Sequence, residues 1–219
     1  MLLLIFLGRE RSLGQDGTDD DSEFWTAIQV AVPLGDKTDL ILSGSFRVGR
    51  DFSHPVYENV GGTILFRLGR HFTVAPFYQF VATQYYPGVH TFESRLAVSG
   101  TASFPWKRIV LSDTQVFEER FRELGNSSRY RNRVQVEWPF TFRGAECRLF
   151  AADEVFYDWR LDAWNRNRLY LGGGRRFSPR WGLDLFFLKQ NSRFSAPRDI
   201  NAVGVTLRIK VDRPLLHFP

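Results

Sequence analysis

In the run 129–137 every second residue is polar: Arg129, Arg131, Arg133, Gln135 and Glu137. Tyr130, Val134, Val136 and Trp138 stand between and beyond them, and Asn132 is the exception. A period of two describes an extended strand with one charged and one apolar face. The charged face is too dense and too evenly spaced for the solvent side of a soluble sheet. The pattern recurs: Glu93, Arg95, Ser99, Thr101 and Ser103 alternate with Leu96, Val98, Ala102 and Phe104. Likewise Thr206, Arg208 and Lys210 alternate with Val203, Val205, Leu207 and Ile209, and Asp39, Ser43, Ser45 and Arg47 with Leu40, Leu42, Phe46 and Val48. Segments of about ten residues, apolar outside and polar inside, separated by turn residues, are the pattern of a transmembrane β-barrel. The expected fold is all-β: one up-and-down antiparallel barrel in a bacterial outer membrane.

Composition supports a barrel over a helical membrane protein. Hydrophobic residues make up 43% of the 219 positions and mean hydropathy is −0.25. No run approaches the roughly 18 apolar residues that a spanning helix requires. The net charge is +5, and with lysine only at Lys37, Lys107, Lys189 and Lys210, the basic residues are nearly all arginine. These arginines are dealt one per alternate strand position and do not gather in a patch, which argues against nucleic acid as a partner. The single Cys147 excludes an intramolecular disulfide and a multi-cysteine metal site, and it is expected on the apolar face. No metal or cofactor is expected.

Three regions follow. Residues 1–22 read as a truncated signal or flexible N-terminal segment, with a short strand or a plug as the other reading; MLLLIFLG has the length of a signal core without a basic stretch before it. Residues 23–211 form the barrel and 212–219 a C-terminal tail. Strand-like runs fall near 23–33, 38–49, 56–68, 71–83, 90–103, 108–122, 128–140, 145–159, 164–176, 180–190 and 199–211. Short turns near 35–37, 69–70, 105–107, 141–144 and 178–180 alternate with longer loops near 50–55, 84–89, 123–128, 160–163 and 191–198. That asymmetry assigns the short turns to the periplasmic side. Because bacterial single-chain barrels hold an even number of strands, the expectation is twelve, with ten as the runner-up. Phe72, Phe104, Trp106, Trp138, Phe140 and Trp181 flank the short turns and Trp159 and Trp164 the longer loops, as two aromatic girdles would.

The polar phase of each strand fills the lumen. Its cations are Arg47, Arg95, Arg120, Arg122, Arg129, Arg131, Arg133, Arg148, Arg168 and Arg208, and the carboxylates placed to pair with them are Glu93, Glu118, Glu137, Glu154 and Asp184. Guanidinium groups in a confined lumen attract carboxylate, sulfate or phosphate, so one reading is a porin-like narrow channel or binding site for small anionic solutes. The alternative is a purely structural barrel, closed by ion pairs across adjacent strands.

Two other classes compete. An outer-membrane lipid-modifying hydrolase needs a placed nucleophile and base, yet His54, His71, His90 and His217 are scattered, no G-x-S-x-G occurs, and His90 with Ser94 is the best pair available. No catalytic residue is therefore assigned and the chain is expected not to be an enzyme. A soluble lipocalin-like carrier has eight strands and a polar exterior, unlike the apolar face of 203–209. Gly172-Gly173-Gly174 lacks the helix and Lys-Ser/Thr step of a phosphate loop and is expected to allow strand bending or to make room for a bulky neighbour. Asp153 and Glu154 fall on opposite faces of a strand and cannot act as a pair.

Several short motifs, in order and spacing, carry a family resemblance: Phe24-Trp25-Thr26, Pro33-Leu34-Gly35-Asp36-Lys37, Glu118-Glu119-Arg120-Phe121-Arg122, Arg129-Tyr130-Arg131-Asn132-Arg133, Asp153-Glu154-Val155-Phe156 and Asn167-Arg168-Leu169-Tyr170-Leu171-Gly172. Over roughly 23–211 the chain resembles the bacterial domain-of-unknown-function family 2490. The resemblance implies an outer-membrane β-barrel without an established activity, with the lipid bilayer and the outer-membrane assembly machinery as partners. Such barrels usually stop at an aromatic residue of the last strand; here Val211 is followed by eight more residues.

Overall fold

The computed structural model describes residues 20–123, 125–195 and 197–212. Eleven strands make up the fold: β1 (Asp20–Gly35), β2 (Thr38–Gly49), β3 (His54–Arg67), β4 (Phe72–Tyr86), β5 (Val89–Trp106), β6 (Ile109–Arg122), β7 (Ser127–Phe142), β8 (Ala145–Asp158), β9 (Ala163–Arg176), β10 (Trp181–Ser192) and β11 (Asp199–Lys210). Each strand pairs antiparallel with the next, and β1 closes the cylinder by pairing parallel with β11 from Asp20↔Asp199 to Ala31↔Lys210. Twelve strands were expected from parity, and eleven are found among the described residues. A twelfth is not needed for closure, because a parallel ladder satisfies the two edge strands as fully as an antiparallel one. The described ends of the chain consequently lie at opposite ends of the barrel.

The barrel starts at Asp20, three residues before the expected boundary. The readings given to residues 1–19 and 213–219 lie outside the described residues. The turns are also more alike than expected. One end has connectors at 36–37, 68–71, 107–108, 143–144 and 177–180; the other has 50–53, 87–88, 123–126, 159–162 and 193–198. The expected long loop at 84–89 is only Pro87-Gly88, with Gly88 at φ +73°. Arg143-Gly144 both have positive φ, 50° and 76°, which suits a two-residue hairpin turn whose twist matches the flanking strands. Connector length thus separates the two ends, the short-turn end and the loop end, only weakly.

Alternation decides which face each side chain takes. Leu42, Val60, Leu96, Phe117, Leu171 and Val203 are among the exposed residues of the outer face, Leu171 with 66% of its surface accessible. Cys147 lies on this face, opposite Phe140. The buried residues point into the cylinder instead: Phe156, Leu188, Glu23 and Val81 are essentially inaccessible. Inside the β1/β11 seam, Trp25 packs with Leu188, Ile200 and Ala202, and Tyr170 and Phe186 lean on this cluster. Gly204 sits opposite Trp25 across the seam, where a Cβ would run into the Phe186 ring. The apolar groups that stabilise the seam occupy the lumen.

Polar residues also occur on the outer face of β6–β9, where they satisfy one another. Asn132 Nδ2 donates to Asp113 Oδ1 at 2.5 Å and Gln115 Nε2 to Asp113 Oδ2 at 2.8 Å. Tyr130 donates to Gln115, Ser128 donates to Glu119 at 2.6 Å, and Asn167 donates to Asp153 at 2.5 Å. Asn132, the exception in the sequence pattern, is therefore one member of a cross-strand set. Two grooves of about 720 and 480 Å³ cross the outer face beside this stripe, lined by residues such as Leu96, Val98, Phe117 and Trp159, and by Phe72, Val74, Gly100 and Asp113.

Candidate functional site: the arginine-lined lumen

Register brings the inward polar residues of successive strands to similar levels. Arg95 faces Arg120, Glu118 faces Arg129, Arg133 faces Glu154, and Glu154 faces Arg168. Glu118 stands at the centre. Its Oε1 is 2.6 Å from Arg129 Nη2, 3.8 Å from Arg120 Nε and 3.9 Å from Arg95 Nε, and its Oε2 is 3.6 Å from Arg131 Nη2. Its carboxylate is wholly inaccessible. Glu93 holds Arg120 with both oxygens, at 2.5 and 2.9 Å, and takes Arg95 Nε at 2.8 Å. Glu154 sits 3.7 Å from both Arg131 and Arg168 and accepts from Tyr170 at 3.1 Å. Asp158 meets Arg120 at 3.5 Å.

Aromatic rings complete this layer. Phe156 lies within 6 Å of the guanidinium carbons of Arg129, Arg131, Arg166 and Arg168. Arg47 is sandwiched between Trp25 at 3.6 Å and Tyr57 at 3.9 Å, because β2 lies between β1 and β3 with these three residues in one row. Planar guanidinium stacks on ring faces and keeps its edge for hydrogen bonding. Neither Trp25 nor Tyr57 stood out in the sequence as a partner of Arg47.

Nearer the short-turn end the character changes. Arg148 bridges Glu137 at 2.7 Å and Asp184 at 2.8 Å, and Arg208 meets Asp184 at 2.5 Å. The Arg208 side chain keeps half of its surface accessible. Asp39 pairs with Arg67. The facing wall carries small inward groups, among them Ser43, Ser45, Thr63, Ser99 and Thr114, all partly accessible. Gly174 makes room for the ion pair: a Cβ there would meet the Asp184 carboxylate and lie 3.0 Å from Arg148 Nε. Of the two expected roles of the glycine run, strand bending and room for a bulky neighbour, this contact carries the second.

All ten arginines and all five carboxylates singled out in the sequence lie in the inward phase. Nine of the arginines cluster with carboxylates, aromatic rings or both, and Arg122 donates to Ser127 Oγ at 2.8 Å. Arg133 donates to Gln135 at 2.9 Å and stacks on Tyr170. Sequence reasoning passed over Glu23, Asp158 and Arg166. Glu23 is fully buried, accepts from Trp25 Nε1 at 2.5 Å, and leaves Oε1 without a hydrogen-bond partner among the described residues. Its phase, shared with Trp25 on β1, was the available signal. Arg166 is bound through Ser192 at 3.0 Å and Ser195 at 3.3 Å. In the loop-side half, eight inward arginines (47, 95, 120, 122, 129, 131, 166, 168) face six carboxylates (21, 23, 93, 118, 154, 158), so cations are in excess.

Elsewhere, Ser94 shares a hydrogen bond with Tyr78 at 3.0 Å on the outer face. Asp153 and Glu154 face opposite sides, the first bound to Asn167 outside and the second to the lumen network. Among the described residues no cluster of His, Cys, Asp and Glu could hold a metal ion. The expected girdle residues Phe72, Phe104, Trp106, Trp138, Trp159, Trp164 and Trp181 are exposed, and Phe140 lies against Trp138.

A family model described as a protein of unknown function, DUF2490, matches residues 22–201. No curated protein matches the chain.

Proposed function

The chain belongs to the DUF2490 family, and we propose that it works as an outer-membrane barrel closed to free ion flow, with a polar, partly accessible vestibule open from the short-turn end. The apolar outer face, strands of 12 to 18 residues and exposed aromatics at both ends support membrane insertion, since about 9–11 tilted residues suffice to span. The single observation that carries closure is Glu118: a carboxylate with no accessible surface, held by four arginines from β5, β6 and β7. A hydrated path through the loop-side half would wet it.

A second reading keeps the lumen as a binding site for small anionic solutes. The excess of arginines favours it, together with Arg47, whose stacked guanidinium meets no carboxylate within 4 Å among the described residues.

Planar-bilayer recording of the refolded barrel tests both. The expected result is membrane insertion, read by heat-modifiable electrophoretic mobility, without stepwise conductance. Anion-selective steps that shrink in Arg131→Ala and Arg133→Ala would overturn closure and establish the solute pathway. Recovery in a soluble fraction would remove the membrane reading itself.

A further inference from the structure

The two ends of the barrel differ in charge far more than in length. The five short-turn connectors contain Lys37, Arg70, Lys107, Arg108, Arg143 and Arg180 against Asp36 alone, six cations to one carboxylate, a net of +5. The five loop-end connectors contain Arg50, Arg160, Arg193 and Arg198 against Asp51, Glu123 and Asp162, a net of +1. The whole chain is also +5, so one rim carries a surplus equal to that of the entire sequence.

All six cations of the short-turn rim are exposed. Arg180 pairs with Asp212; the other five have no carboxylate within 4 Å among the described residues. On the adjoining strand ends Arg67 pairs with Asp39 and Arg176 with Glu146, while Arg175 and Lys210 are exposed and have no carboxylate within 4 Å among the described residues. Most of the surplus lies in the turns. Turn geometry does not account for it: Lys107 and Arg143 hold φ of 54° and 50°, where Gly, Asn or Asp is the easier choice. The same end presents a ring of exposed aromatics, with Trp106 beside Lys107, Phe142 beside Arg143, and Phe177 stacked on Trp181 at 4.5 Å. Amphipathic rings with cations just beyond them match the headgroup layer of a bilayer, apolar on one side and phosphate-rich on the other.

The geometry points to the short-turn rim as a docking surface for anionic phospholipid headgroups, its turn cations contacting their phosphates while the aromatics fix depth. This rests on the membrane reading above. It also gives the barrel an orientation, because the rim faces the leaflet whose phosphates it holds. Clustered cations near a charged membrane act additively and are screened by salt.

The test uses full-length protein and a variant with Arg70→Gln, Lys107→Asn, Arg108→Gln and Arg143→Asn. Asn suits the two left-handed positions, and the four changes bring the rim to the net charge of the loop end. Association with phosphatidylcholine vesicles, with and without phosphatidylglycerol, is followed by tryptophan fluorescence and insertion by heat-modifiable mobility. The expected result is a preference of at least about tenfold for the anionic vesicles, lost in the variant and at high salt. Lysine at positions 70, 108 and 143 should restore it, since point charges suffice. Insertion into both vesicle types without preference, or a preference unchanged in the variant, would overturn the rim assignment and leave the membrane barrel standing. Salt-sensitive binding to anionic vesicles without insertion would retain the rim and remove the membrane reading. Binding to neither would remove both.

Discussion

The loop-side and short-turn halves of the lumen use the same chemistry, arginine against carboxylate, in opposite states of solvation. Around Glu118 the partners Arg95, Arg120, Arg129 and Arg131 keep 12%, 13%, 7% and 20% of their side-chain surface accessible. Around Asp184 the partners Arg148 and Arg208 keep 23% and 50%. At the outermost pair, Arg176 and Glu146, the values are 59% and 68%. The arginines are therefore most accessible toward the short-turn rim. The Coulomb energy of a pair and the cost of desolvating its members both rise with burial. The sealed half is the one where losing a single partner matters most, although the net gain from forming each pair there is not correspondingly large.

Glu118→Ala should break this comparison most forcefully. It removes one carboxylate from among four largely buried guanidinium groups, so a loss of about 3–5 kcal/mol is expected. Urea unfolding of the protein in vesicles, followed by tryptophan fluorescence, measures it. Replacing both members of the closest pair, Glu118→Leu with Arg129→Leu, should cost clearly less than Glu118→Ala, because no charge is stranded. If the single change costs under about 1 kcal/mol, the layer is hydrated and the contrast between the halves fails.

Asp184→Asn sharpens the comparison from the other side. The change keeps the shape of the side chain and deletes the charge shared by Arg148 and Arg208. Arg148 retains Glu137, and Arg208 already reaches solvent. A loss of about 1–2 kcal/mol is expected, at the low end for hydrogen bonds to charged groups. A loss as large as that of Glu118→Ala would mean that the vestibule is as dry as the sealed half.

How far the sequence reveals this contrast depends on the kind of information involved. The inward phase of Arg129, Arg131 and Arg133 is legible because a strand's side-chain period is fixed by its backbone. The ring of eleven segments is legible for the same reason. Strand parity is not, since it is a habit of bacterial barrels and not a requirement of closure, and here β1 meets β11 in parallel. Partner identity is also hidden. Glu93 and Arg120 are 27 residues apart, and which residues meet depends on the register between β5 and β6. The stacking of Arg47 requires the registers of β1, β2 and β3 together. Burial is hidden most deeply, because Arg129 and Arg176 occupy equivalent phases on their strands and differ only in what closes over them. The outer polar set around Asp113 escaped because its members look like breaks in alternation until β6 and β7 are aligned.

The smallest effect belongs to the pair at the rim. Arg176 and Glu146 lie 2.6 Å apart, closer than most of the contacts to Glu118, so distance alone ranks this among the strongest pairs of the barrel. Solvation reverses the ranking. Both side chains remain largely hydrated, so little desolvation is recovered when either is removed, and the attraction is weakened by water and salt. Arg176→Ala should therefore change stability by no more than about 0.5 kcal/mol, and raising the salt concentration should erase the difference. The same urea series, run at low and high salt beside Glu118→Ala, checks this. A salt-independent loss approaching that of Glu118→Ala would show that pair distance, and not access to water, governs the energetics of the lumen.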